Sequence, residues 1–203
     1  MKWLVMFPQD VLAEFIKAVI TLFIIVDPLG NIPIFIGLTE NLGKEERRRV
    51  FRVAVIVASA LLVVFAVIGR ELLSVFGISV YSFMVAGGIL LLVIAVKLVV
   101  YGGWEEKVLS PESMGAVPIA CPLLAGPGAI TTTIVIIQTS GVLVTLLAVI
   151  TVSIIIWIIL RFVEPINRFL GKTGSAVVAR VMAIFIAAIA VGYIVDGISH
   201  LTG

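Results

Sequence analysis

The sequence has few of the residues on which soluble enzymes and secreted domains depend. Charged residues make up 13% of its 203 residues, and it contains one histidine and one cysteine, Cys121. A single cysteine cannot form an internal disulfide and provides no zinc or thiol-redox spacing. A Walker lysine, a Gly-x-Ser-x-Gly motif and a His-rich cluster are also absent from the sequence. We therefore expect no enzymatic activity, no metal site and no cofactor.

Long apolar segments take the place of these residues. Hydrophobic residues account for 62% of the chain, and the mean hydropathy is +1.29. A transmembrane helix needs about 20 mainly apolar residues to cross a hydrocarbon core about 30 Å thick, so the chain has room for six or seven crossings and no soluble domain. The composition predicts one all-α membrane domain over 1–203, with the lipid bilayer and not nucleic acid as its partner.

Apolar runs separated by charged residues predict six transmembrane helices. Their expected ranges are 11–40, 51–68, 80–101, 115–139, 142–160 and 176–195. Hydrophilic connections are expected at 41–49, 69–79, 102–114 and 161–175, with a tight turn at Ser140 and Gly141.

Lysine and arginine are distributed unequally between the two sides that six crossings imply. Eleven fall on one side, and only Lys2, Lys17 and Arg70 fall on the other. The positive-inside rule assigns the richer side to the cytoplasm, so both the N-terminus and the C-terminus are expected outside the cell membrane. Because each half contains three spans, the halves 11–105 and 112–203 are expected to be inverted repeats.

Two interruptions rich in proline and glycine lie in the first and fourth predicted spans. The first is Asp27-Pro28-Leu29-Gly30-Asn31-Ile32-Pro33, and the second is Pro122-Leu123-Leu124-Ala125-Gly126-Pro127-Gly128-Ala129-Ile130-Thr131. Proline lacks an N–H group and glycine permits non-helical angles, so we expect both helices to be broken near the membrane midplane. The freed backbone groups cannot face lipid and should line a cavity. Paired breaks of this kind are typical of secondary transporters built from repeats.

The chemistry of the two breaks suits a small zwitterion. The N-terminus of each second half-helix favours a carboxylate, and hydroxyl groups of Thr131 and Thr132 could add donors. Asp27 and Asn31 could accept hydrogen bonds from an ammonium group. Asp27 is the one acidic residue deep inside a span, and it either binds substrate or a proton or caps a half-helix at Gly30 or Asn31. A channel is an alternative, since broken helices also line selectivity filters.

These two motifs, the length and the six-span plan resemble those of the MarC family, also described as multiple-antibiotic-resistance-related membrane proteins. The short length and the richness in isoleucine and valine are similar to those of its archaeal members. The resemblance implies uptake of small neutral amino acids such as glycine, alanine and serine, coupled to protons. It also implies that Gly30, Asn31, Gly126, Gly128 and Thr131 surround the substrate.

The candidate substrate-binding residues form one set across both breaks. They are Asp27, Gly30, Asn31, Ile32, Pro33, Ala125, Gly126, Pro127, Gly128, Thr131 and Thr132. Asp27 is also the candidate proton-coupling residue, and the lack of a dedicated cation cage favours protons over sodium. A pocket bounded by glycine and alanine backbones would exclude large molecules, which makes export of drugs or other metabolites the second hypothesis. A scaffold without flux and a homo-oligomer both stay open.

Overall fold

The computed structural model describes residues 8–39, 41–101 and 119–202, and every regular element within these ranges is helical. The helices are α1 Pro8–Val26, α2 Ile32–Gly37, α3 Lys44–Val75, α4 Val80–Tyr101, α5 Ile119–Leu124, α6 Pro127–Arg161 and α7 Val163–Thr202. α5 is a short π-helical turn in which Cys121 has extended backbone angles, φ −140° and ψ 121°. The all-α prediction is confirmed for the residues that the structure describes.

Both interruptions predicted from the sequence separate two helices. The turn 27–31 lies between α1 and α2, and Ala125 and Gly126 lie between α5 and α6. Each following helix has a proline in its first turn, Pro33 in α2 and Pro127 in α6. The missing N–H group is tolerated there because the first N–H groups of a helix have no partner within it.

Glycines interrupt the two longest helices. Gly141 in α6 has φ 83° and ψ 172°, and Gly171 in α7 has φ 61° and ψ −175°. Residues other than glycine rarely adopt such backbone angles. At Gly141, α6 therefore divides into segments 127–140 and 142–161. This break coincides with the turn predicted at Ser140 and Gly141.

The helices pack in three main pairs: α4 against α7, α1 against α6, and α3 against α6. Glycines bring α4 and α7 close together, because a Cβ atom at Gly88 would lie 2.7 Å from the carbonyl oxygen of Ala190. A Cβ atom at Gly197 would likewise lie 2.8 Å from the carbonyl oxygen of Tyr81, whereas one at Gly192 would meet nothing within 4 Å. Small residues thus allow backbone approach at the first two positions.

Four helices within the described ranges are long and apolar enough to cross a membrane. They are Lys44–Val75, Val80–Val100, Pro127–Arg161 and Thr173–Thr202. Large apolar side chains on their outer surfaces are exposed, including Ile56 (61%), Val100 (60%) and Leu143 (69%). Such surfaces suit lipid contact. The six-span inverted arrangement stays a prediction.

Several predicted boundaries differ from those in the structure. α4 runs from Val80 to Tyr101, as predicted, but α3 extends into both of its predicted connections, and α7 begins within the connection predicted at 161–175. Helices continue beyond the apolar residues because charged side chains stabilise their ends, as Glu45 and Glu46 do in the first turn of α3. The connection at 102–114, and with it the boundary between the predicted repeats, lies outside the described residues.

Candidate functional site

Residues of both breaks line one small cavity. Its volume is about 50 Å³, which is enough space for a few water-sized groups. Residues from α1, the 27–31 turn, α4, α5, the start of α6 and α7 line it: Ile25, Val26, Asp27, Asn31, Leu91, Ile94, Leu98, Leu123, Gly126, Pro127, Gly128, Ala129 and Ile186. Five of the residues predicted from the sequence are among them: Asp27, Asn31, Gly126, Pro127 and Gly128.

Asp27 is both a structural residue of the first break and a polar group in the cavity wall. It has φ 47°, a left-handed conformation that aspartate tolerates better than most residues. Its Oδ1 accepts a hydrogen bond of 3.0 Å from the backbone N–H of Gly30. Its Oδ2 is buried without a hydrogen-bond partner among the described residues. The predicted hydrogen bond to Gly30 is therefore present, but it stabilises the turn before α2 and does not cap the helix itself. One carboxylate oxygen is left over.

The side chain of Asn31, like that of Asp27, has one polar atom that is hydrogen-bonded and one that is not, among the described residues. Its Nδ2 donates a 3.2 Å hydrogen bond to the carbonyl oxygen of Val26 at the end of α1. Its Oδ1 is buried and has no partner in the described part of the chain. Burying a polar atom without a partner costs a few kcal/mol, and a ligand that donates hydrogen bonds would remove this cost. Asp27 and Asn31 together provide two buried acceptors suited to such a ligand.

The start of α6 provides donors at the second break. Gly126 precedes the helix in an extended conformation and makes no side-chain cap, and the first helical bond runs from the N–H of Ile130 to the carbonyl oxygen of Gly126, 3.0 Å away. Pro127 has no N–H group, so the N–H groups of Gly128 and Ala129 are the donors that helix geometry leaves unused. Both residues line the cavity.

The two half-helix N-termini are not equivalent, contrary to the sequence prediction. At α2, the N–H of Asn31 bonds to the carbonyl oxygen of Asp27 (3.1 Å) and the N–H of Ile32 bonds to that of Leu29 (3.3 Å). Pro33 has no N–H group at all. The tight turn therefore uses the N–H groups of Asn31 and Ile32, and Ile34, the next residue of α2 with an N–H group, does not line the cavity. Among the described residues, the backbone donors in the cavity wall are those at the start of α6.

The predicted threonine donors lie away from the cavity wall. The Thr131 hydroxyl donates to the carbonyl oxygen of Pro127 (2.8 Å), and its side chain packs where a Cβ atom at Gly87 of α4 would collide with it. Thr132 accepts a 3.2 Å hydrogen bond from the hydroxyl of Tyr193. Thr131 therefore bonds back to its own helix and Thr132 bonds to α7, and neither residue lines the cavity.

Of the remaining predicted residues, Gly30, Ile32 and Ala125 are not among the residues that line the cavity. Gly30 is required beside Asp27, since a Cβ atom there would collide with the carboxylate. Ile32 and Ala125 are buried but do not line the cavity. The side chain of Pro33 lies outside the described residues.

Nothing in the sequence indicated which apolar residues form the rest of the cavity wall. Leu91, Ile94 and Leu98 come from α4, and Ile186 comes from α7. α4 and the stretch 182–191 of α7 are almost entirely apolar, so no periodic pattern identifies the residues that face the cavity.

A second, larger cavity of about 510 Å³ lies at the C-terminal end of α7. Arg70, Gln138, Asp196 and His200 contribute polar groups to it. The Nδ1 atom of His200 lies 2.8 Å from the backbone carbonyl oxygen of Asp196, and its ring stacks on Tyr81 with centroids 4.6 Å apart. No group of three or more metal-binding side chains occurs within the described ranges.

Apolar helices that expose hydrophobic side chains, together with polar backbone breaks buried inside them, define a multi-pass integral membrane protein. The profile of the MarC family of integral membrane proteins matches residues 12–202. The chain belongs to the MarC family.

Related proteins occur in archaea and bacteria. A UPF0056 membrane protein of Archaeoglobus fulgidus is 39% identical over 200 residues, covering 93% of this chain and 94% of the relative. The UPF0056 membrane protein MJ1677 of Methanocaldococcus jannaschii is 38% identical, covering 92% and 97%. The UPF0056 membrane protein YhcE of Escherichia coli is 33% identical, covering 92% and 93%. No solved structure matches the chain significantly.

Proposed function

We propose that this protein is a secondary transporter of small neutral amino acids of the glycine, alanine and serine class. The observation that carries the proposal is the cavity between the two breaks, whose wall contains the side-chain acceptors of Asp27 and Asn31 and the residues Gly128 and Ala129 at the start of α6. Asp27 and Asn31 would hold the ammonium group, and the N–H groups of Gly128 and Ala129 would hold the carboxylate. The positive end of the α6 dipole adds to the second interaction.

The size of the cavity supports a small substrate. Its volume of about 50 Å³ is far below the 300–1,000 Å³ typical, roughly, of sites for drug-sized ligands. A Cβ atom at Gly128 would already collide with Leu91 and lie 3.2 Å from Cγ2 of Ile25. The cavity therefore favours amino acids with small side chains over the drugs that an exporter would carry.

The helix breaks support the six-span topology that the transporter proposal requires. A straight helix of 35 residues would be about 52 Å long, which exceeds a hydrocarbon core of about 30 Å. Breaking α6 at Gly141 makes two crossings possible, and α1 with α2 would form another. With both termini outside, the basic residues at the start of α3 and the end of α6 face the cytoplasm.

The Oδ2 atom of Asp27, which has no hydrogen-bond partner among the described residues, supports proton coupling. A carboxylate inside a membrane protein is an established type of proton carrier, and Asp27 is only 3% exposed. We propose that it exchanges a proton while the cavity alternates between the two sides. The hydrogen bond from Gly30 holds the other oxygen during the exchange.

The test is uptake of labelled glycine by the purified protein in liposomes, with an inward proton gradient and with that gradient collapsed. We expect accumulation above the outside concentration that disappears on collapse. The variant Gly128→Ala should raise the concentration of glycine needed for half-maximal uptake by about tenfold or more, since one methyl group too many in a tight pocket has an effect of that size. Gly192→Ala is the matched control, because a Cβ atom there meets nothing within 4 Å.

Other outcomes would redirect or reject the proposal. Saturable glycine flux that never exceeds the outside concentration would indicate a channel. A folded protein that moves neither glycine, alanine nor serine, with protons or with sodium, would reject amino acid transport. Equal uptake by Gly128→Ala and Gly192→Ala would show that the substrate does not occupy this cavity.

A further inference from the structure

Two adjoining cavities lie where the start of α3 meets the end of α6 and the start of α7. Their volumes are about 320 Å³ and 30 Å³, and they share Arg48, Phe51, Leu160 and Arg161. We call them together the basic cavity, because the described charged residues that line them are five cations and one carboxylate: Lys44, Arg47, Arg48, Arg52, Arg161 and Glu164. An excess of positive charge of this kind favours the binding of an anion.

Within the described residues, only part of this charge is neutralised by ion pairs. Arg47 is engaged: it donates to the carbonyl oxygen of Thr39 from Nη2 (2.8 Å) and Nε (3.2 Å), and it forms an ion pair with Glu164. Arg48 lies 2.7 Å from Glu45, but both side chains are more than half exposed, so the pair is weak. In the described part of the chain, Lys44, Arg52 and Arg161 form no ion pair, which leaves cations to attract a ligand.

The neighbouring residues indicate a membrane lipid as the source of the anion. Trp157 and Phe162 are 41% and 51% exposed, and the guanidinium carbon of Arg161 lies 5.6 Å from the ring centroid of Trp157. Tryptophan beside arginine at the end of an apolar helix is typical of the membrane interface. Basic pockets between transmembrane helices bind anionic headgroups, and the planar fork of arginine matches phosphate.

We propose that the basic cavity binds the phosphate group of an anionic phospholipid, whose acyl chains lie along the exposed apolar surface of α6 beside Trp157. Arg48 and Arg161 hold the phosphate, since they line both parts of the cavity. Lys44 and Arg52 add positive charge from either side. This inference does not depend on which solute the protein transports.

The test measures the affinity of the purified full-length protein in neutral detergent for short-chain phosphatidylglycerol, with phosphatidylcholine as the uncharged reference. Thermal unfolding and native mass spectrometry are the two readouts. We expect preferential binding of phosphatidylglycerol. The double variant Arg48→Gln/Arg161→Gln should bind it about 30-fold more weakly, which corresponds to two contributions of about 1 kcal/mol each.

The matched control is Arg49→Gln/Arg180→Gln, which removes the same charge from exposed residues outside the basic cavity. It should bind phosphatidylglycerol like the unaltered protein. Should Arg48→Gln/Arg161→Gln not fold, Arg52→Gln alone should still weaken binding several-fold. Equal losses in the double variant and its control, or no loss with Arg52→Gln, would overturn the proposal. Stabilisation by inorganic phosphate with no preference for phosphatidylglycerol over phosphatidylcholine would replace the lipid with free phosphate.

Discussion

Replacing Gly30 with alanine should disrupt the first break at its most crowded point. The added Cβ atom would lie where the Asp27 carboxylate now sits, 2.7 Å from Oδ1 and 2.8 Å from Cγ. The backbone of Gly30 needs no left-handed angle, since Asp27 and not Gly30 has the positive φ in this turn. The effect of the substitution therefore comes from the collision and from losing the hydrogen bond that Gly30 donates to Asp27.

The expected loss of stability follows from these two terms. A hydrogen bond to a charged acceptor contributes about 1.5–3 kcal/mol, and overpacking a tight site costs about 1–3 kcal/mol. Because moving the carboxylate relieves part of the collision, we expect the free energy of unfolding to fall by about 2–3 kcal/mol. For a chain of this size that corresponds to roughly 5–10 °C in melting temperature.

The measurement is thermal and denaturant-induced unfolding of the purified protein in one detergent. Gly37→Ala is the control, because a Cβ atom there meets nothing within 4 Å and the residue ends α2. Alanine should stabilise that position by up to about 1 kcal/mol. If Gly30→Ala and Gly37→Ala unfold within about 0.5 kcal/mol of each other, the Asp27 carboxylate does not occupy the place that the structure gives it.

Two further predictions concern Asp27 in the first break and Arg47 in the basic cavity. Asp27→Asn keeps an oxygen that can accept the hydrogen bond from Gly30, but the amide cannot carry a proton. The variant should therefore fold and exchange glycine across liposome membranes without concentrating it. Gradient-driven accumulation by this variant would mean that Asp27 has a structural role only. Arg47→Gln should lower the free energy of unfolding by about 2 kcal/mol, because Arg47 joins the segment after α2 to Glu164 on α7. Arg49→Gln, which alters an exposed neighbour, should change it by less than about 0.5 kcal/mol in the same unfolding assay, and equal effects would contradict the bridging role.

Parts of the fold follow from composition and from proline and glycine placement. The bounds of α4 match the predicted span because an apolar run flanked by turn residues has few alternatives in a membrane. The two breaks also lie where the sequence places them, since proline removes a helical donor wherever it occurs. The hydropathy pattern predicted the ends of α3 and α7 incorrectly, because charged helical turns can continue into the aqueous phase.

The sequence by itself determined that this is an all-α membrane protein with two breaks rich in proline and glycine, and it identified Asp27, Asn31 and residues 126–128, which line the cavity between the breaks. Only the tertiary structure decided which atoms are left for a ligand. The tight turn uses the amides before α2 and leaves those of α6, and the hydroxyl groups of Thr131 and Thr132 bond within the protein. Apolar residues such as Leu91 line the cavity through the packing of α4. A pattern that is apolar on every side does not encode which face meets a cavity and which meets lipid.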